Sequence, residues 1–245
     1  MRTALRWAGL ALAAGLVVVV AVQFWYLGWI AWWKWNNPGE TSFMAREEAA
    51  LRRKSPKAGL RHRWVPYERI SIHLKRAVIT SEDARFSEHE GIDWDAVEKA
   101  YETNLKRGRP AKGGSTITQQ LAKNLFLSPE RSYLRKGQEL VITYMIEALW
   151  DKRRILEVYL NVVEWGEGVF GAVAAARYYY GIGAQQLGAE QAARLAAFLP
   201  SPKRYGRIRS SRDCWTRSAR SVSSSATTRN CLKTMPPPWR ATIWT

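Results

Sequence analysis

Between Trp7 and Trp33 the chain carries no charged residue, and Gln23 is the main polar interruption. A bilayer core takes roughly 20 apolar residues as helix, so this stretch is long enough to span one with some tilt. No face of it is polar, which argues against a buried helix of a water-soluble fold. A cleaved secretory leader is the rival, but its apolar core would run about 7–15 residues to a small-residue cleavage site. Here the core is longer and runs straight into Phe24, Trp25, Tyr26, Trp29, Trp32, Trp33 and Trp35. Such rings favour the headgroup level, so the expectation is a transmembrane helix over 7–33 with an aromatic belt at its far end. Arg2 and Arg6 precede it, placing residues 1–6 in the cytoplasm and the remainder across the membrane.

The rest of the 245 residues suffices for one medium domain. Asn36-Asn37-Pro38-Gly39 reads as a turn. After it, helical periodicity dominates. Residues 45–54 form a short charged helix, and Arg61 to Pro66 a loop. Ile70, Leu74, Ala77 and Val78 mark a helix leading to Ser81. Further helices are expected over Trp94–Leu105 with Asp93 as N-cap, and over Ile117–Phe126, Arg131–Trp150, Arg154–Val162, Val169–Tyr180 and Ala189–Phe198. No convincing alternation of strands is visible. The coarse reading is an all-α (mainly α) domain over about 45–205.

Beyond Tyr205 the character changes. From Lys203 onward there are ten Lys or Arg and one acid, Asp213, among Ser, Thr and a Pro236-Pro237-Pro238 run. Too little periodic apolar content remains to fold alone, so 206–245 reads as a disordered basic tail or as the product of a shifted reading frame. The two cysteines, Cys214 and Cys231, define no disulfide framework, and the three histidines have no metal-ligand spacing. The net charge of +17 suits an anionic partner without choosing between nucleic acid, an anionic bilayer and a phosphorylated substrate.

Four segments carry chemistry. In Ser81-Glu82-Asp83-Ala84-Arg85-Phe86-Ser87-Glu88-His89-Glu90-Gly91 an apolar helix gives way to a polar turn, a suitable place for a general base on a sugar hydroxyl. On chemistry alone Glu82, Asp83, Glu88 and Glu90 compete for that role. In the segment Lys112 to Leu125, a Gly113-Gly114 turn enters a helix through Ser115 and Thr116. Its free N–H groups and dipole suit an anion, although the Lys-Ser/Thr ending of a nucleotide loop is absent. Arg135 and Glu139 share a helix face, with Lys112, Lys123, Arg131 and Lys136 close by in sequence, the compensation a diphosphate leaving group needs. Arg153 to Asn161 has helical core spacing, and the small residues Gly171 to Ala176 read as close helix packing.

Together these segments resemble the family 51 glycosyltransferases of bacterial cell-wall synthesis, and most closely the monofunctional transglycosylases among them. The resemblance rests on Glu82-Asp83-x-x-Phe86-x-x-His89-x-Gly91, on Gly113-Gly114-Ser115-Thr116-Ile117-Thr118-Gln119-Gln120-Leu121-x-Lys123-Asn124-Leu125, on Arg135-Lys136-x-x-Glu139, and on Arg154-Ile155-Leu156-Glu157-x-Tyr159-x-Asn161. It spans roughly Val65 to Tyr205.

It implies a lysozyme-like fold behind one transmembrane helix, anchored in the inner membrane with the catalytic domain periplasmic. It implies lipid II as acceptor and the growing glycan on undecaprenyl diphosphate as donor. Glu82 matches the family's general base and Glu139 its second glutamate, which organises the diphosphate directly or through a divalent ion, Mg or Mn. No metal ligand is assigned and no organic cofactor is implied. Lys123, Arg131, Arg135 and Lys136 would hold the diphosphate. Asp83, Phe86, His89, Gly114, Ser115, Thr116, Gln119, Gln120 and Asn124 would line the substrate cleft.

The chain contains no Ser-x-x-Lys or Lys-Thr-Gly, so it should polymerise without cross-linking. Other cell-wall synthesis proteins are conceivable partners that no residue names. A lytic glycosidase needs two carboxylates flanking the bond and no diphosphate cradle, which the cations argue against. A nucleic-acid binder would show a recognised module, and none is present. The tail does not match the family's final helices, and lower thermal stability than a version with those helices is expected.

Overall fold

The computed structural model describes residues 2–107, 114–130 and 132–203. The sequence expectations for Lys112, Arg131 and the 206–245 tail lie outside them. The described residues divide into two compact units. One comprises residues 1–46 and 82–162, the other Glu47–Ser81 together with the described residues from Val163 onward.

The first unit is helical. α1 (Arg2–Trp33) contains a 28-residue stretch, Arg6–Trp33, long and apolar enough to cross a membrane. At 1.5 Å per residue that stretch is about 42 Å long, more than a hydrocarbon core requires. Its two ends differ in surroundings. Trp7, Leu12, Leu16 and Val18 are exposed. From Gln23 onward the helix packs on its own unit. α5 (Ile117–Phe126) supplies Phe126, which meets Trp25, Tyr26 and Trp33 with ring centroids 5.2–6.2 Å apart. α6 (Tyr133–Leu149) supplies Gln138, whose amide exchanges two hydrogen bonds with that of Gln23, at 3.1 and 2.9 Å. Trp150 Nε1 donates to Ile30 O at 2.8 Å. On α7 (Lys152–Val162), Arg154 donates to Trp33 O and Asn36 O, the open carbonyls at the end of α1. Within the aromatic cluster Trp25, Trp29, Trp32 and Trp35 stay exposed, while Tyr26 and Trp33 help to seat the helix on α5.

α4 (Trp94–Arg107) begins where Asp93 Oδ1 accepts from Ala96 N at 2.9 Å, the expected N-cap. α5 begins with a full capping box: Thr116 Oγ1 accepts from Gln119 N, and Gln119 Oε1 accepts from Thr116 N. α2 (Ser42–Lys54) starts at Thr41, whose hydroxyl accepts from Met44 N, three residues earlier than the charge pattern suggests.

The second unit carries α3 (Ile72–Glu82), of which Glu82 itself belongs to the first unit. It also carries α8 (Ala172–Tyr180) and α9 (Ala189–Ala196). The mainly α expectation holds, with one small sheet that the local readings did not include. A three-stranded sheet of order β1-β3-β2 is present: β1 (Arg61–His62) runs parallel to β3 (Val169–Phe170), which pairs antiparallel with β2 (Glu164–Gly166). Arg61 was expected in a loop and Val169–Phe170 in a helix. Strands of two and three residues are too short to alternate visibly. Trp165 and Phe170 anchor the sheet in the core, and Tyr179 donates to Trp165 O at 2.8 Å. The Ala172–Ala176 run is buried, as close packing requires. The molecule remains mainly α.

Candidate active site

The loop from Glu82 to Asp93 is built around Asp83. Its Oδ2 accepts from Ile117 N at 3.0 Å and its Oδ1 pairs with His89 Nε2 at 2.8 Å. The anion expected at the start of α5 is thus the chain's own carboxylate, placed where free N–H groups and the helix dipole favour negative charge. Thr116 and Gln119, expected in the substrate cleft, are buried and spent on the capping box, and Thr116 also donates to Gly91 O at 2.5 Å. His89 pairs with Asp83 through Nε2, while its Nδ1 is buried without a hydrogen-bond partner among the described residues. Phe86 is 3% exposed, with the Lys152 ammonium 4.8 Å from its ring centroid. Lys152 also donates to His89 O and Glu147, tying the loop to α6. These bonds tie Asp83, Phe86, His89, Thr116 and Gln119 into the frame of the site.

Two glycines permit the close approach. Gly91 has φ +91°, and a Cβ there would stand 2.7 Å from Thr143 Cγ2. A Cβ on Gly114 would come within 3.1 Å of Val97 Cα. Ser115 is exposed beside it, and Asn124 is buried on α5.

The four competing carboxylates are now distinguishable. Asp83 is fully engaged. Glu88 is exposed and paired with Arg85 at 2.8 Å, and Glu90 is exposed. Glu82, the last residue of α3, is half-buried and accepts from Gln120 Nε2 at 2.8 Å. Burial pushes its carboxyl above the ordinary range, and the charge of Asp83 adds to that, against the opposing pull of Gln120 and the Lys123 cation.

Glu139 lies on α6, buried, and accepts from Arg135 at 2.6 Å and Lys136 at 2.5 Å. Lys123 of α5 joins the two glutamates. Desolvation lowers its proton affinity first, Glu139 and Glu82 raise it, and Arg135 and Lys136 lower it. The cluster brings together Glu82, Gln120, Lys123, Arg135, Lys136 and Glu139 from three elements. Both Glu139 oxygens already accept from cations, and among the described residues no group of three or more His, Cys, Asp or Glu is placed to hold a metal ion. That donor set does not fit a divalent ion held by the protein alone.

One member was missed. Tyr159 of α7 was read as core, and its ring is fully buried, yet its hydroxyl donates to Gln120 Oε1 at 2.9 Å. The available signal was a hydroxyl-bearing ring in an apolar helical stripe, which needs a partner when buried.

A half-buried carboxylate beside a lysine-arginine group is an arrangement for base-assisted transfer from an anionic leaving group, which defines a glycosyl transferase better than a hydrolase. The comparisons agree with that class. The family model described as Transglycosylase matches residues 48–226, running past Tyr205, where the resemblance was expected to stop. The chain is 61% identical over 207 residues to the biosynthetic peptidoglycan transglycosylase of Azoarcus sp. (strain BH72), covering 84% of this chain and 90% of that protein. It is 60% identical over 205 residues to the protein of the same name from Dechloromonas aromatica (strain RCB), covering 84% and 89%. With that of Janthinobacterium sp. (strain Marseille) it shares 62% over 190 residues, covering 78% and 82%. The chain belongs to the transglycosylase family.

Proposed function

We propose that this transglycosylase polymerises lipid II into β-1,4-linked glycan on an undecaprenyl diphosphate carrier, with Glu82 as general base. The observation that carries the reading is a half-buried carboxylate, Glu82 held by Gln120 Nε2 at 2.8 Å, together with the Arg135 and Lys136 cations gathered on Glu139. Lys123 lies on the same helix as Gln120, and its charge interacts with both glutamates. Glu82 takes the proton of the acceptor's 4-hydroxyl. The freed oxygen attacks C1 of the donor sugar, the C1–O bond to the diphosphate breaks, and the lipid diphosphate leaves with the bonding pair. One displacement inverts the donor carbon. Lys123, Arg135 and Lys136 offset the charge that develops on the leaving group, and Glu139 holds Arg135 and Lys136 in place. Arg131 joins them by the resemblance. α1 would anchor the chain in the inner membrane with the catalytic residues on the periplasmic side, a reading supported by the apolar length of Arg6–Trp33 and by Arg2 and Arg6 before its core.

Purified protein incubated with fluorescent lipid II in detergent should yield a ladder of glycan oligomers, and Glu82→Gln should yield none. A folded parent that makes no ladder would sink the reading.

A further inference from the structure

The proposed reaction makes no use of Tyr159, whose hydroxyl nonetheless ends a chain of hydrogen bonds at Glu82. For packing alone, phenylalanine would serve at this fully buried position among Ile155, Val158 and Val162. The hydroxyl donates to Gln120 Oε1 at 2.9 Å, and Gln120 Nε2 donates to Glu82 Oε2 at 2.8 Å. An amide has one accepting and one donating end, and an ionised carboxylate only accepts. The observed orientation therefore suits ionised Glu82. Once Glu82 is protonated, the flipped amide becomes equally good for Glu82, since its oxygen can accept the new O–H. With the amide flipped, its NH2 would donate to the phenol oxygen and the buried phenol O–H would lose the acceptor it has, so the hydroxyl favours the unflipped amide. That proton is firmly held: burial first, then the charges of Glu82 and Asp83, push the Tyr159 phenol well above its ordinary range.

We propose that Tyr159 is a positioning residue for the general base, locking Gln120 with its NH2 toward Glu82 and so favouring the ionised carboxylate. The proposal rests on the reading of Glu82 as base. The groups acting on Glu82 are Gln120 and Lys123 from α5, Asp83 from its own loop, and Tyr159 from α7. Tyr159→Phe leaves Asp83 and Lys123 in place and removes one oxygen.

The test is the pH dependence of glycan polymerisation by the full-length protein in detergent, with fluorescent lipid II as substrate. A base must be ionised, so the rate falls on the acid side of its pKa. Without the phenol the carboxylate loses support, its pKa rises, and the acid limb in Tyr159→Phe should move up by about 0.5–1 pH unit. The plateau rate should stay within about threefold of the parent's. A merely structural role would lower the rate at every pH and leave the limb where it is, and that result overturns the proposal. Glu82→Gln separates the two readings. If it polymerises, the base assignment itself fails. If it is dead while the Tyr159→Phe limb is stationary, only the positioning role fails. Gln120→Met covers the case of a Tyr159→Phe protein that does not fold. The phenol acts through that amide, so Gln120→Met must raise the limb, and an unmoved limb overturns the proposal. Adding Tyr159→Phe to Gln120→Met should shift the limb no further, and an additive shift also counts against it.

Discussion

Glu82 and Glu139 are the same residue type held in two opposite settings. Glu82 is half-buried, accepts from one neutral amide and has its proton affinity raised by desolvation. Glu139 is more deeply buried yet carries two charge-assisted bonds, from Arg135 and Lys136. Burial alone therefore does not decide what a carboxylate does. Partners matter too: Glu82 meets one neutral donor, whereas Glu139 gathers two cations. The half-buried Glu164 of the second unit is a third case. Desolvation pushes it up to about 7 although Lys203 opposes the shift, since Lys203 bonds to Glu47 and reaches Glu164 only at 4.0 Å.

The contrast can be broken by substitution. The largest expected loss is in Glu82→Gln, about 10²–10⁴-fold in polymerisation rate. Glu139→Gln should lower the rate about 10–10²-fold at every pH without moving the acid limb, because it releases Arg135 and Lys136 and leaves the base alone. A limb that moves with Glu139→Gln would dissolve the division of labour. Lys123→Met tests the link between the two ends. It should cost about tenfold and also raise the limb, since the cation favours ionised Glu82.

The smallest effect concerns stability. The folded-state pKa of Glu164 lies above its unfolded value, so the stability it contributes is fully present below about pH 4.5 and is lost as pH rises through about 7. Glu164→Gln should therefore melt progressively higher than the parent as pH is raised from 5 to 8, by on the order of 2 kcal/mol at the top of that range. Parallel melting curves for the two proteins across that range would remove Glu164 from the contrast.

What the sequence made readable follows from the range of the signals. α5 is found at Ile117–Phe126, as expected, because its cap, its Gly-Gly entry and its apolar face are all local. The grouping of Glu82, Lys123, Arg135 and Glu139 came through the resemblance and not through periodicity. What stayed hidden depends on pairing across the chain. The sheet needs Arg61 to meet Val169. The occupant of the α5 N-terminus is Asp83, 34 residues before Ile117. The bond from Thr116 to Gly91 O likewise joins residues 25 apart, which nothing local announces. Tyr159 looked structural because its spacing is that of a core residue and its partner lies on another helix.

The bond from Asp83 to the start of α5 has a consequence for motion. Asp83 follows Glu82 directly, and the groups that set the acidity of Glu82, namely Gln120 and Lys123, ride on the helix to which Asp83 is pinned. Base and tuners therefore travel as one cassette. Removing the Asp83 carboxylate should therefore loosen Glu82 from Gln120 as well as leave the Ile117 N–H at the start of α5 without its acceptor.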